Sequence, residues 1–222
     1  NKEVDSRSVL KNAVNNFKKN ILSFFKDSQY IRDYYKINFE DISDIVMTSA
    51  TELEFWVKTP NDKADIEALS ASQVLQEQYW KRTRGVVRTA LEQSLMLMKK
   101  YDLNPEMGHK EVGGILAQLD DSGNLNHVME QLEIDWKYDS SLQAADNELM
   151  VRILINEVFR KNGLEVTFQA KPIEGVAGNG KHTHVGAALK LKSGKIINLF
   201  SAINPQNDFI SPIGYGALMG LL

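Results

Sequence analysis

Two histidines behind a glycine-rich turn are the residues of this 222-residue chain best suited to chemistry. Lys171 to Gly186 reads K-P-I-E-G-V-A-G-N-G-K-H-T-H-V-G, with His182 and His184 at i, i+2. Thr183, Val185, Ala187, Leu189 and Leu191 alternate with His182, His184, Gly186, Ala188 and Lys190. Period two is the strand repeat, so the spacing predicts a strand with one apolar face and both imidazoles on the other. Such a pair at the mouth of a glycine loop suits a metal or a phosphate. Gly175 to Lys181 spells G-x-x-x-x-G-K, but His182 stands where a phosphate-binding loop needs Ser or Thr. That loop must also open a helix, whereas residues 182–191 carry the strand repeat. The phosphate-loop reading is rejected.

Carboxylates recur on the same kind of face. Glu52 and Glu54 oppose Leu53, Phe55 and Val57; His109 and Glu111 share a face; Gln131, Glu133 and Asp135 oppose Leu132, Ile134 and Trp136. A wet face on an antiparallel strand is ordinary, and spacing alone does not bring four such faces together. Where they meet, crowded carboxylates raise one another's pKa and a divalent cation relieves the repulsion. Oxygen-rich donors with few histidines favour Mg²⁺ or Mn²⁺ over zinc.

The elements that must position these residues are set by pattern and capping. An amphipathic helix is expected over Arg7–Lys26, with Val9, Leu10, Val14, Phe17, Ile21, Phe24 and Phe25 on its apolar stripe. Further helices are expected over Ser72–Lys100 and from Ser140 or Ser141 to Asn162, the latter ended by Gly163. Ser211 and Pro212 form a capped helix start. Strands are expected near Ile45–Lys58, His109–Gln118, His127–Tyr138, Leu164–Ala170, His182–Leu191 and Lys195–Phe200. Gly113 to Met129 reads as a hairpin turning at Asp121–Asn124, Ser193-Gly194 as a tight turn, and 59–70 as a surface loop. Strands in blocks with helices between them give an α+β fold, a largely antiparallel curved sheet flanked by helices.

Composition narrows the class. No cysteine means no disulfide and no thiolate metal site. A net charge of −3 argues against nucleic acid as a main partner. No apolar run approaches the ~20 residues of a membrane span, and the charged start is no signal peptide, so no membrane partner and a cytoplasmic location are expected. The basic run Lys81–Arg84 with Arg88 reads as the wet face of a helix.

The ordered motifs resemble one family. E-L-E-F (52–55), H-K-E-V (109–112), E-Q-L-E-I (130–134), V-T-F-Q-A-K-P (166–172) and G-N-G-K-H-T-H (178–184) are similar to the E-x-E-F, H-H-E-V, G-Q-x-E-I, T-F-M-x-K-P and N-G-S-G-x-H-x-H of glutamine synthetase catalytic domains. The resemblance extends from Asp5–Lys11 to Tyr215–Leu222. It implies an ATP-dependent glutamate–ammonia ligase with two cations, Mg²⁺ or Mn²⁺, a γ-glutamyl phosphate intermediate, and a homo-oligomeric ring. By the same resemblance Glu54, Glu111 and Glu133 match the ligands of one cation, and Glu52 and His182 two ligands of the other. Gly178 matches a backbone contact to glutamate; His184, Tyr138, Glu106 and His109 match the nucleotide side.

The chain also departs from the pattern. Ala177 stands for Asn, Lys110 for the second histidine of H-H-E, and the segment between Glu111 and Glu133 is longer. Against the family the chain is expected to be a partial catalytic domain, 1–222, without the N-terminal β-grasp domain or the later segments, and inactive by itself. A related γ-glutamyl–amine ligase and a non-catalytic assembly subunit are the alternatives. Retention of Glu52, Glu54, Glu111, Glu133 and His182 together speaks against the second of these.

Overall fold

The computed structural model describes residues 5–63, 82–119, 121–123 and 125–222. The chain divides into two compact units: Asn1–Ser49 with Tyr138–Ala145 and His184–Leu222, and Ala50–Lys137 with Asp146–Thr183. The described residues form an α+β fold whose sheet runs in the order β2-β3-β1-β5-β6, with β4 also on β1. The strands are β1 (Ile42–Pro60), β2 (Pro105–Leu119), β3 (Leu125–Ser140), β4 (Glu165–Thr167), β5 (Lys181–Leu191) and β6 (Ile196–Asn198). The β2–β3, β1–β4 and β5–β6 ladders are antiparallel. This is the α+β class and the antiparallel sheet expected from the strand blocks.

In the second unit the alternation of β1 and β3 does what parity demands. Leu53, Phe55 and Val57 join Leu132, Ile134 and Trp136 in a core covered by α3 (Gly85–Lys100) and the part of α4 (Ser141–Lys161) that belongs to this unit. Val87, Leu91 and Met98 come from α3; Val151, Ile155 and Phe159 come from α4. Phe55 meets Phe159 edge to face at 5.5 Å. Gly108 permits close packing, since a Cβ there would lie 2.9 Å from Leu91 Cδ1. The opposite parity of the same strands is left for Glu52, Glu54, Gln131 and Glu133.

In the first unit α1 (Ser6–Asp27) opens on Asp5, whose Oδ1 accepts from the Ser8 amide at 2.8 Å. Its Ile21 and Phe25 pack with Tyr35 of α2 (Gln29–Tyr35), with Ala187, Leu189, Ile197 and Leu199, and with Ile213 of α5 (Pro212–Leu221). Ser211 caps α5, its Oγ accepting from the Gly214 amide at 2.9 Å. Gly163 ends α4 at φ 73 and Gly194 turns the β5–β6 hairpin at φ 86, both in the left-handed region.

Several boundaries differ from expectation. The stretch expected as helix over Ser72–Lys100 is helical from Gly85: residues 72–81 lie outside the described residues, and 82–84 have no regular structure, with Arg84 extended. Lys81 of the basic run therefore lies outside them, Arg82 and Arg84 precede the helix, and only Arg88 is on it, paired with Glu92 at 2.5 Å. The 59–70 loop is strand to Pro60 and a 3₁₀ turn over Asn61–Lys63, with 64–70 outside the described residues. Val9 and Phe24 face solvent on α1. The strand expected over Leu164–Ala170 shortens to Glu165–Thr167; beyond it the Gln169 and Ala170 carbonyls accept from Asn179 of the glycine-rich loop. On β5 the apolar face holds from Ala187 to Leu191, while Thr183 and Val185 are exposed.

Candidate metal centre

Four strands of the second unit bring polar side chains to the same place. β1 contributes Glu52 and Glu54, β2 His109 and Glu111, β3 Gln131 and Glu133, and the first residues of β5 contribute His182. Glu54 and Glu133 are buried, at 8% and 7% exposure. A carboxylate so placed must be hydrogen-bonded or neutralised by a cation.

Glu133 is the hub. Its Oε1 lies 3.2 Å from His109 Nε2, and its Oε2 lies 3.8 Å from His182 Nδ1. His182 Nδ1 is 3.2 Å from Glu52 Oε2, and His109 Nδ1 is 3.8 Å from Glu111 Oε2. Two triads result, Glu52–Glu133–His182 and His109–Glu111–Glu133, each with one ligand atom per residue and all of them within 4.8 Å of one another. Register accounts for the second triad, because His109 and Glu133 are direct cross-strand partners.

The backbone orients the His109 ring. Its Nδ1 lies 3.0 Å from the Lys110 carbonyl, to which a protonated Nδ1 donates. That leaves Nε2 aimed at Glu133, the usual way a backbone carbonyl fixes the tautomer of a metal-binding imidazole. With no cation, the Glu133 hydrogen bond holds the His109 pKa above its ordinary value; burial opposes it, and the Lys110 carbonyl and the Glu111 charge reinforce it. Asp135 is pushed upward by burial, which outweighs the hydrogen bond from the Met107 backbone.

Glu54 is placed differently. Its Oε2 accepts from the Gly180 amide at 2.7 Å and from Gln131 Nε2 at 2.9 Å, and its Oε1 is 3.9 Å from His182 Nε2. Position 180 has no room for a side chain, because a Cβ would come within 2.8 Å of Glu54 Oε1 and 2.9 Å of His182 Nε2. The resemblance groups Glu54 with Glu111 and Glu133, and puts His109 on the nucleotide side. In the structure Glu54 lies against the loop, and His109 lies between Glu111 and Glu133.

The glycine-rich loop is tied down atom by atom. Gln131 Nε2 donates to the Gly178 carbonyl at 2.9 Å, and Trp56 Nε1 donates to the Ala177 carbonyl at 3.1 Å. Asn179 Nδ2 donates to the carbonyls of Thr167 and Gln169 at 3.0 and 2.8 Å. Lys181 pairs with Glu148 of α4 at 2.6 Å, and Glu148 pairs with Arg152 at 2.9 Å. The sequence motifs assign no role to Gln131, Asn179 or Trp56. Only the parity of Gln131 with Glu133 could have pointed to the first of them. Glu106 is exposed on β2; Tyr138 and His184 are exposed and belong to the other unit.

The donor set, four carboxylates and two imidazoles without sulfur, fits a hard or borderline divalent cation. Among the described residues no helix is long and apolar enough to cross a membrane.

Comparison with known proteins gives these features a family. The model of the glutamine synthetase catalytic domain matches residues 36–222. A glutamine synthetase of Pyrococcus abyssi is 36% identical over 88 residues, covering 40% of this chain and 17% of that enzyme. A glutamate–isopropylamine ligase of a Pseudomonas species is 35% identical over 100 residues, covering 45% of this chain and 20% of that enzyme. The solved structure of apo GmaS without ligand superposes with a TM-score of 0.56 at 23% identity, over 82% of this chain and 37% of that one; it carries the fold alone. The matched stretches thus span a fifth or less of the curated relatives' length. With more than half of its residues matched by the family model, the chain belongs to the glutamine synthetase catalytic-domain family.

Proposed function

We propose that this chain carries part of the active site of an ATP-dependent glutamate–ammonia ligase, which makes glutamine through a γ-glutamyl phosphate. The observation that carries the reading is Glu133, whose two carboxylate oxygens serve two separate triads. That geometry supports a pair of Mg²⁺ or Mn²⁺ ions, one held by Glu52, Glu133 and His182 and the other by His109, Glu111 and Glu133. Glu54, braced by Gly180 and Gln131, stands beside His182 to complete the set. Bound there, the cations would neutralise the γ-phosphate of ATP and hold it in line with its acceptor.

The rest of the work falls to the chain's own groups. The γ-carboxylate oxygen of glutamate attacks the γ-phosphorus, ADP departs, and ammonia then displaces phosphate from the acyl carbon. Gly178, fixed through its carbonyl by Gln131, is the backbone contact for glutamate. Glu106 serves the nucleotide, a role the family resemblance also gives to Tyr138 and His184 of the first unit. The full-length protein forms the homo-oligomeric ring of its family.

A second reading has an observation of its own. The similarity to a glutamate–isopropylamine ligase covers slightly more of the chain than the Pyrococcus enzyme does, and Ala177 lacks the usual asparagine side chain. An alkylamine in place of ammonia is that alternative, and a panel of amines supplied to the full-length protein with glutamate, ATP and Mn²⁺ separates the two.

The cation reading is tested by calorimetric titration of Mn²⁺ into the wild type and Glu133→Ala. Binding by the wild type and at least ~10-fold weaker binding by the variant is the expected result. Equal binding by both would overturn it.

A further inference from the structure

The β2–β3 ladder breaks next to the centre. Lys110 pairs with Leu132 and Ile115 pairs with Glu130, so Glu111–Gly114 on β2 face Gln131 alone on β3. The break is a bulge of four residues against one, and it carries Glu111. Bulges re-aim side chains, but they also leave the ladder short of hydrogen bonds. Something must hold this one in a single shape if Glu111 is to stand beside His109.

Two residues stand at the base of the bulge. Lys110 is the last paired residue before it, and Glu130 faces the first paired residue after it. Lys110 Nζ lies 2.5 Å from Glu130 Oε1, with side chains 4% and 12% exposed. By parity both point away from His109, Glu111 and Glu133: Lys110 lies on the face of Gly108, which packs on α3, and Glu130 on that of Leu132 and Ile134. An ion pair in such a place contributes little net stability over an apolar pair of similar size. Its directional, charge-assisted contact does fix geometry.

We propose that the buried Lys110–Glu130 ion pair is a positioning device that closes the base of the bulge and thereby sets Glu111 against His109 and Glu133. The proposal rests on the cation reading for its consequence, but not for the closure of the bulge.

Two readouts on the 222-residue chain test it: amide hydrogen exchange at 111–115 without metal, and Mn²⁺ affinity. Glu130→Gln should raise exchange at 111–115 about 10-fold, leave α4 protected, and weaken Mn²⁺ binding about 10-fold, the scale of a residue that orients a ligand. Lys110→Arg keeps the charge and should stay near wild type in both. The double variant Lys110→Met, Glu130→Leu should keep the melting temperature while Mn²⁺ affinity falls, a split that a merely stabilising role does not give. Should Glu130→Gln fail to fold, the last two variants decide. A lowered melting temperature with unchanged exchange and affinity would overturn the proposal, as would a double variant that matches the wild type in both readouts. A wild type that binds no Mn²⁺ would overturn the cation reading, leaving the exchange at 111–115 to decide the closure.

Discussion

The first unit buries its polar atoms neutral. Tyr35 donates its hydroxyl to the Leu199 carbonyl at 2.6 Å, Ser211 Oγ donates to the same oxygen, and Ser211 in turn caps α5. The second unit buries charge. Among the described residues Glu54, Lys110 and Glu133 are the buried charged side chains, and all three lie in it. Neutral groups that satisfy one another serve stability, at about 1 kcal/mol for each hydrogen bond. Buried carboxylates that face imidazoles and one another do not gain stability that way, and their arrangement makes sense for a cation. The same alternating strands supply both arrangements; what sits on the polar parity makes the difference.

Breaking a charged partner should cost most. Lys110→Ala strands Glu130 in the interior and is expected to lower stability by about 3 kcal/mol, read as a shifted urea midpoint at unchanged slope. A change under about 1 kcal/mol would place the pair in solvent, contrary to its burial. Gly180→Ala should act on the centre rather than on the fold. Its methyl group displaces Glu54 and His182, so Mn²⁺ affinity should fall about 10-fold, equivalent to about 1.4 kcal/mol, at a nearly unchanged melting temperature. Unaltered affinity would show that neither group contributes to the centre.

The neutral arrangement predicts smaller effects that leave Mn²⁺ binding untouched. Ser211→Ala removes both a cap and a buried donor, for about 1 kcal/mol. Tyr35→Phe should lose slightly less at neutral pH and should change the response to alkali. Burial pushes the Tyr35 hydroxyl up to about 12, with the Ser211 hydroxyl partly opposing, against about 10 in the unfolded chain. The folded state holds this proton the tighter, so its contribution is complete below about pH 10 and is lost as pH rises toward 12. Stability measured across that window should fall more steeply for the wild type than for Tyr35→Phe. Parallel curves would remove Tyr35 from the account.

Strand parity was legible in the sequence because burial on one face forces alternation: Leu53, Phe55 and Val57 against Glu52 and Glu54 need no structure to be seen. Helix ends at Gly163 and Ser211-Pro212 were legible because capping is local chemistry. The bulge at Glu111–Gly114 was not, since its register is set by a partner strand across a hairpin, and neither was the Lys110–Glu130 contact that spans it. Val9 and Phe24 carry the right period for a buried stripe on α1, yet the core of that unit reaches only Ile21 and Phe25 at full burial. At the candidate centre, residue types and motif order named Glu52, Glu54, Glu111, Glu133 and His182, while their grouping depends on distances between strands. So the double service of Glu133 and the engagement of Glu54 by Gly180 and Gln131 emerged only in three dimensions.

Electron paramagnetic resonance of Mn²⁺ titrated into the chain tests the central claim, that Glu133 joins two cation sites. Two ions sharing Glu133 as a ligand would be close enough to couple magnetically. The account predicts that the second equivalent broadens and attenuates the six-line signal of the first, and that Glu133→Gln abolishes the coupling and weakens binding. A signal that grows in proportion to bound Mn²⁺ with no sign of coupling, equally in wild type and Glu133→Gln, would contradict it.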